Sequence, residues 1–216
     1  MFKYPINKQM KNTFSKGFTL VELLIVITIL AALAAAVVAV INPMELLAQG
    51  RDAQRMSDLD TVQDALLILL AQGLVPSPDL CVGAITFGAT TVDGCHPGGI
   101  CMVNPGDGNG PFATQTCAIH AIRAVNGAGW VDVDLTDVRV GGSLITMLPV
   151  DPINNAQFFY AYRATPAGTF KLAGRLESAR YRRMMEDDGG IRNVCTPPPA
   201  HITNTCFYEI GSDLAL

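Results

Sequence analysis

Cysteine and histidine are the side chains of this 216-residue chain that most readily bind metals or react. Cys117 and His120 have a spacing that zinc ligands use, but no Cys-x2-Cys knuckle accompanies them. An even number of cysteines that all follow one long apolar run is typical of disulfides formed in an oxidising compartment. We therefore predict disulfides rather than zinc for the six cysteines, which are Cys81, Cys95, Cys101, Cys117, Cys195 and Cys206.

The pairing of the first four cysteines is open, because their spacing allows several connectivities. They lie in a region rich in glycine and proline, where only short strands such as residues 84–87 are expected. The pairs that we predict there are Cys81–Cys117 and Cys95–Cys101.

Oxygen ligands in glycine-rich turns offer a second kind of chemistry, because calcium prefers them. Asp107 and Asn109 alternate with glycine, but they lack the loop spacing and the final glutamate of an EF-hand. A polar turn is therefore the main interpretation, and calcium is the alternative. The sequence contains no phosphate-binding glycine loop, nucleophile elbow or His-Glu-x-x-His motif, so we predict neither an enzyme nor a bound cofactor.

The longest apolar run spans residues 18–41 and contains a single charged side chain, Glu22. A helix of this length extends for about 36 Å and could cross a hydrocarbon layer of about 30 Å. Residues 1–17 carry four lysines and no acid, which favours a cytoplasmic N-terminus and export of the rest. A secretory signal cut near Ala34 and a plain signal anchor are alternatives, but the run is longer than an ordinary signal core.

The sequence KGFTLVE at residues 16–22 resembles the class III signal of type IV pilins and pseudopilins. The resemblance implies that a prepilin peptidase cuts after Gly17 and that Phe18 becomes the N-methylated first residue. It also implies that Glu22 guides filament assembly. A carboxylate in a membrane helix is costly unless it has a partner, and after cleavage the new α-amine of Phe18 is the nearest candidate, in the same or a neighbouring subunit.

Beyond the apolar run, Pro43 and Gly50 are predicted helix breaks. The helix either ends at Ile41 and restarts at Met44, or continues through a kink. Residues 44–72 then predict an amphipathic helix that packs on a sheet. Its apolar face consists of Leu46, Ala53, Met56, Leu59, Val62, Leu66 and Leu69 or Leu70. Its opposite, polar face consists of Arg51, Asp52, Arg55, Asp58, Asp60 and Asp64.

The last part of the chain is predicted to be rich in β-strands. Residues 130–135 alternate apolar side chains with Asp132 and Asp134, which predicts a strand with both carboxylates outward. Residues 157–163 and 169–177 form a predicted hairpin, and residues 207–210 a final strand. An aspartate between two prolines, Asp151, predicts a turn.

The predicted fold class is α+β, with a long N-terminal helix packed on an antiparallel, disulfide-containing head. Its parts are a leader (1–17), a membrane-spanning or filament-core helix (18–41), an amphipathic helix (42–73), a loop region rich in Cys, Gly and Pro (74–129), and the β head (130–216). In the family that the N-terminus resembles, a disulfide often closes an exposed loop near the C-terminus, which implies a Cys195–Cys206 pair. Such a bond would stabilise the head by roughly 2–3 kcal/mol.

An acidic cluster precedes that loop. Glu186, Asp187 and Asp188 are predicted to pair with the neighbouring arginines at positions 180, 182 and 183, or those arginines contact another subunit or a ligand. The same acidic residues lie where some pseudopilins bind calcium, so calcium is again the alternative.

Residues 18–216 contain 11 of the 15 basic residues and all 19 acidic ones, a net charge of −8. Such a body repels polyphosphate, which argues against general nucleic-acid binding. The resemblance implies a helical homopolymer whose other partners are the prepilin peptidase, membrane lipid before assembly, and an inner-membrane platform with an ATPase motor. The protein would be a single-pass membrane protein before assembly, with its head outside, and part of an extracellular or periplasmic filament afterwards.

We therefore expect a type IV pilus subunit that serves adhesion, motility or DNA uptake. A pseudopilin of a type II secretion system is the alternative. A membrane-anchored extracellular binding or enzyme domain is a remote one.

Overall fold

The fold is α+β, as the sequence predicts. The computed structural model describes residues 17–40, 42–71, 85–87, 90–92, 99–105, 110–112, 117–136, 142–165, 168–195 and 206–216. The chain divides into two compact units, residues 1–43 and 44–216.

The first unit contains helix α1, Leu20–Val40. Its large apolar side chains are exposed, and none of the residues in Leu20–Val38 is buried. Within the described residues this is the one helix that is long and apolar enough to cross a membrane. A helix suits that environment because it satisfies its own backbone hydrogen bonds.

Helix α2 spans Pro43–Ala71. Proline is tolerated at the first helical position, where its missing N–H would have no partner in the helix. The break predicted at Gly50 is wrong, because α2 continues through that residue. Glycine inside a helix costs about 1 kcal/mol relative to alanine, and the buried residues Ala48 and Asp52 hold the helix in place on either side of it.

Among its described residues, the second unit contains two sheets. Strands β1 (Ile85–Phe87) and β2 (Thr90–Val92) form an antiparallel pair. The other strands form a five-stranded sheet in the order β4-β3-β5-β6-β7. They are β3 (Ile100–Cys101), β4 (Ala118–Ile119), β5 (Ala161–Ala164), β6 (Phe170–Gly174) and β7 (Tyr208–Gly211). A short helix, α3 (Arg182–Glu186), precedes β7.

The sheet is mixed rather than purely antiparallel, because β3 and β4 run parallel while the other pairs are antiparallel. The β5–β6 hairpin has the predicted position but shorter strands, with Ala164 opposite Phe170. The amide of Thr165 donates to the carbonyl of Thr169 at 2.8 Å and closes the turn. Gly168 has a φ of +80°, a conformation that glycine adopts without strain.

Helix α2 packs on this sheet through Leu59, Val62 and Leu66, all of which are fully buried. Gly174 of β6 makes the close approach possible, since a Cβ there would lie only 3.1 Å from Leu59 Cδ1. The core also contains large aromatic side chains, namely Phe112, Trp130, Phe159, Tyr160, Tyr162, Phe170 and Phe207.

Two predicted faces differ from the structure. The predicted apolar face of α2 is wrong near the start of the helix, where Leu46 is 56% exposed and Ala53 is also exposed. From Leu59 to Leu69 it is confirmed, because Leu59, Val62, Leu66 and Leu69 are buried. Residues 130–135 do not form a strand. Asp132 is only 4% exposed, so its carboxylate does not face outward. The segment lies inside the core, where its neighbours Val131 and Val133 are also buried.

Two disulfides join described residues. Cys101 pairs with Cys117 across 5.6 Å between Cα atoms, so the predicted pairs Cys81–Cys117 and Cys95–Cys101 are wrong. The parallel pairing of β3 with β4 brings Cys101 close to the residue that precedes β4, within the distance that a disulfide spans. Cys81 and Cys95 lie outside the described residues.

The second disulfide joins Cys195 to Cys206, with 4.8 Å between Cα atoms. The amide of Phe207 donates to the carbonyl of Arg192 at 3.0 Å, which holds the two ends of the intervening segment together. A disulfide-containing head is therefore part of the fold.

Candidate functional sites

The first candidate site is the start of α1, where Thr19 and Glu22 form a capping box. The backbone amide and the hydroxyl of Thr19 both donate to Glu22 Oε2, each at 2.9 Å. In return, the amide of Glu22 donates to Thr19 Oγ1 at 3.2 Å. This exchange satisfies two amide groups that have no partner within the helix. Glu22 is thus held at the N-terminal end of α1.

The sequence contains a local signal for this arrangement. A threonine followed three residues later by glutamate, immediately before an apolar run, is the pattern of a capping box. Gly17 and Phe18 precede the helix and are exposed, with Phe18 at 83% exposure. The peptide bond predicted to be cleaved is therefore in exposed, non-helical chain. Here the nitrogen of Phe18 is still an amide, so its predicted pairing with Glu22 as an amine stays a prediction.

The rest of α1 contains no other charge. The hydroxyl of Thr28 donates to the carbonyl of Ile25 at 2.8 Å, so this polar group is satisfied within the helix. The carboxylate of Glu22 is consequently the one ionisable side chain on a helix that is otherwise compatible with lipid or with other apolar helices.

The second candidate site lies in the head, where α2 carries a buried ionic cluster. Arg55 donates to Asp151 through Nε at 2.6 Å and Nη2 at 3.1 Å. Its Nη1 donates to Asp52 Oδ1 at 2.9 Å and to Glu177 Oε1 at 2.6 Å. We call these four residues the Arg55 cluster. Arg55, Asp52 and Asp151 are completely buried at their side chains, and Glu177 is 12% exposed.

The carboxylates of the cluster also accept backbone amides. Asp52 accepts the amides of Glu177 at 2.8 Å and Ser178 at 2.7 Å. Asp151 accepts those of Ile153 at 2.8 Å and Asn154 at 3.1 Å, which forms the turn predicted at this aspartate. The cluster is therefore a well-satisfied polar network, which is the condition under which buried charges are tolerated.

The electrostatics of the cluster favour the charged forms of Arg55 and Glu177. Burial alone would lower the pKa of the Arg55 guanidinium, but its bonds to Asp151 and the charge of Glu177 outweigh that effect and raise this pKa. Burial would likewise raise the pKa of Glu177, but hydrogen bonds from Arg51 and Arg55 hold it below its usual value. Arg51 contributes a further contact to Glu177 at 2.6 Å.

The predicted polar face of α2 is wrong at two positions, which belong to the Arg55 cluster. Asp52 and Arg55 were expected on the side away from the sheet, whereas they are buried against the head. The reason is that two head segments, around Asp151 and Glu177, supply partners that match them. Asp60 and Asp64 are exposed, and Asp58 accepts the hydroxyl of Tyr160 at 2.8 Å.

The acidic cluster at residues 186–188 has a structural use. Asp188 accepts the amide of Gly190 at 2.9 Å and that of Glu209 at 2.7 Å, and so binds the outer edge of β7. Glu186 pairs with Arg182 at 3.0 Å. Glu209, for its part, forms a buried ion pair with Lys171 at 2.6 Å. Across the described residues, no group of three His, Cys, Asp or Glu side chains is placed to hold a metal ion. Asp107 and Asn109 lie outside them.

Comparison with known proteins gives one match. The family model described as the prokaryotic N-terminal methylation motif matches residues 13–38. No curated protein and no solved structure matches the chain. The match covers the capped start of α1 and most of that helix, and it is the class III signal of type IV pilins and pseudopilins.

Proposed function

Because the chain is a pilin-like or pseudopilin-like protein by its N-terminal signal, we propose that it is a structural subunit of a type IV pilus. The observation that supports this most strongly is the matched motif on an apolar helix that buries none of its large side chains within its own unit. Such a helix requires lipid or a neighbouring chain to cover it. A structural role follows, rather than catalysis.

In this proposal the prepilin peptidase cuts after Gly17, and the α-amine of Phe18 is methylated. The motif match covers this junction, and the exposed chain around it supports access by the peptidase. Glu22, held at the helix end by Thr19, then pairs with the amine of an incoming or neighbouring subunit. A carboxylate–amine pair in a medium of low dielectric constant is directional, so it sets the position of each subunit.

Assembly transfers α1 from lipid to a bundle of equivalent helices. Apolar surface that was covered by hydrocarbon becomes covered by other apolar helices, so the net change in hydrophobic free energy is small. A motor ATPase on the inner-membrane platform can therefore drive extraction. The head stays outside, and adhesion, motility or DNA uptake follows from the filament.

A pilus is favoured over a type II secretion pseudopilin by the disulfide between Cys195 and Cys206. It encloses a segment near the C-terminus, as in the surface loops of many pilins. The N-terminal motif is common to both classes and does not distinguish them.

Electron microscopy of cells that produce wild-type chain, Glu22→Val or Glu22→Asp tests the proposal. We expect surface filaments from wild type, none from Glu22→Val, and partial assembly from Glu22→Asp, which keeps the charge. Immunoblots should show that all three are cleaved and inserted. Normal filaments from Glu22→Val, or short periplasmic assemblies from wild type, would contradict it.

A further inference from the structure

Lys171 of β6 is the only lysine in residues 18–216, which also contain ten arginines. Its side chain and that of Glu209 on β7 are both completely buried, and Lys171 Nζ lies 2.6 Å from Glu209 Oε1. Arginine is the usual cation of a buried ion pair, because it keeps its charge. Lysine differs in that its amine can lose a proton and act as a nucleophile. This pair is therefore capable of chemistry that the arginine pairs are not.

The register of β6 and β7 brings the two side chains together. Lys171 lies opposite Gly211, and Glu209 lies opposite Ala173. Residues two apart in a strand point to the same face, so Lys171 and Glu209 are diagonal neighbours on one face of the sheet. The paired strands hold both backbones in place, which keeps the amine and the carboxyl in contact. Fixed proximity of this kind removes much of the barrier of a reaction between two groups.

The surroundings of the Lys171 amine favour its neutral form. Burial lowers the pKa of this amine by more than the hydrogen bond and the charge of Glu209 raise it. The ring of Phe112, itself fully buried, has its centre 5.6 Å from Nζ. The carbonyl of Leu214 accepts a second hydrogen bond from Nζ at 3.3 Å. The amine is thus oriented, and it loses a proton more readily than a lysine in water.

The Glu209 carboxyl is held through its other oxygen. The amide of Arg192 donates to Oε2 at 2.9 Å. A Cβ on Gly190 would overlap Oε2, so the absence of a side chain there lets the backbone approach the carboxyl closely. A backbone N–H directed at a carbonyl oxygen stabilises the negative charge that develops when a nucleophile attacks the carbon. One oxygen of Glu209 therefore contacts the amine, and the other contacts a group that would stabilise that charge.

We propose that Lys171 and Glu209 become joined by an isopeptide bond between Nζ and Cδ. The bond would lie within the head, so it goes beyond the proposed function and does not depend on how α1 assembles. It replaces two buried charges with one neutral amide, which removes the cost of keeping ions out of water.

The reaction needs no further reactant. A proton passes from the Lys171 ammonium to Glu209 Oε1, which gives a neutral amine and a carboxylic acid. The lone pair of Nζ then forms a bond to Cδ, and the electron pair of the C=O bond moves to Oε2, where the Arg192 amide donates. A second proton passes from Nζ to Oε1. Oε1 leaves as water with the electrons of its bond to Cδ, and the C=O bond at Oε2 forms again. Nothing is oxidised or reduced.

The bond would close a covalent loop from residue 171 to residue 209. A link of this kind stabilises a domain by restricting its unfolded chain, as a disulfide does. Unlike the disulfide between Cys195 and Cys206, it would persist under reducing conditions. Strands β6 and β7 would then stay joined when the disulfides are reduced.

A tryptic digest of the wild-type chain tests the bond directly. The full chain is purified from producing cells, reduced, denatured and digested, with cleavage sites after Arg163, Lys171, Arg175 and Arg192. We expect residues 164–175, uncut at Lys171, joined to residues 193–216, with a mass one water molecule below the sum of the two peptides. Separate peptides 164–171 and 193–216 in most of the material, as a plain ion pair would give, would overturn the inference.

Lys171→Arg is the variant that keeps the ion pair but removes the amine, because a guanidinium stays protonated. We expect its intact mass to show no loss of water. Its urea midpoint under reducing conditions should fall below that of wild type. Loss of water in this variant would place the missing water elsewhere and overturn the inference. The wild-type digest decides the question even where the variant does not fold.

Arg182→Lys is the matched control, because it places a lysine in the partly exposed pair with Glu186. An ion pair that water reaches should stay unlinked. We expect an amine-reactive label, added to the denatured variant, to modify position 182 and to leave Lys171 unmodified. Labelling of both positions would overturn the inference.

Discussion

Arg55 of α2 and Asp151 of the turn that follows Pro149 hold each other through two hydrogen bonds, of 2.6 and 3.1 Å, with both side chains completely buried. The two residues are 96 positions apart in the sequence. Their geometry is the bidentate one in which a guanidinium matches a carboxylate best. The contact fixes the rotation of α2 about its own axis and its position along that axis relative to the rest of the head.

Removal of one partner from this pair should destabilise the head strongly. Asp151→Asn leaves the Arg55 charge buried with incomplete compensation, so we expect a loss of about 3–5 kcal/mol in the free energy of unfolding. The measurement is urea denaturation of the full chain in detergent micelles. Arg182→Met is the control, because its pair with Glu186 is partly exposed and should contribute at most about 1 kcal/mol. Equal losses in the two variants would contradict a special role for the buried pair.

The cluster should also make the head sensitive to acid. The pKa of Glu177 is held low in the folded state by Arg51 and Arg55, below its value in the unfolded chain. The folded state therefore binds fewer protons, and its stability falls as the pH drops through and below the unfolded pKa of about 4.3. Urea midpoints measured across this range should show the fall. The Glu177→Gln variant should show a smaller fall in its urea midpoint over the same pH range. An equal fall in this variant and in wild type would contradict the role given to Glu177.

Asp132 should make the head less stable as the pH rises, which is the opposite of the effect of Glu177. Burial raises its pKa to about 7, and its Oδ2 atom has no hydrogen-bond partner. The unfolded chain ionises this group near about pH 3.9, so the folded state loses stability as the pH rises from there to about 7. Asp132→Asn removes this loss. We expect the variant to exceed wild type in stability at about pH 8 and to lose that advantage at about pH 4. A difference that does not change with pH would refute the buried acid as its cause.

The disulfide pattern is directly measurable. A proteolytic digest without reduction should contain Cys101 linked to Cys117 and Cys195 linked to Cys206. Mass spectrometry before and after reduction identifies both. A linked Cys81–Cys117 peptide would contradict the pairing that places β3 beside β4.

The capping box at the start of α1 gives a further prediction. Thr19→Val keeps the shape of the side chain but removes the hydroxyl that binds Glu22. We expect fewer filaments than from wild type, with recovery in Thr19→Ser, because serine caps as well as threonine. Immunoblots provide the control that cleavage and insertion are unchanged. Wild-type filament yield from Thr19→Val would show that assembly does not depend on the hydrogen bonds between the Thr19 hydroxyl and Glu22.

Local patterns in the sequence were sufficient for some of these features. The motif at residues 16–22 predicted the signal, and the long apolar run predicted α1, because both depend on residues that are close in the chain. The 3–4 spacing predicted that α2 is a helix. It also predicted the buried side from Leu59 to Leu69. It did not predict that Asp52 and Arg55 are buried, since these two residues depend on partners 96 to 126 positions away.

The same limit applies to Asp132 and to Cys101. Alternation of polar and apolar residues predicted an outward carboxylate, but Val131, Asp132 and Val133 are all buried, so both sides of the segment are covered. The Cys101–Cys117 pair depends on a parallel contact between two strands of two residues each, which no local pattern indicates.

The mass of the mature protein, purified from filaments, tests the central claim most directly. The account predicts a chain that begins at Phe18, carries one added methyl group on its α-amine and retains all of α1. A mature chain that begins beyond α1, or one that keeps residues 1–17, would contradict it.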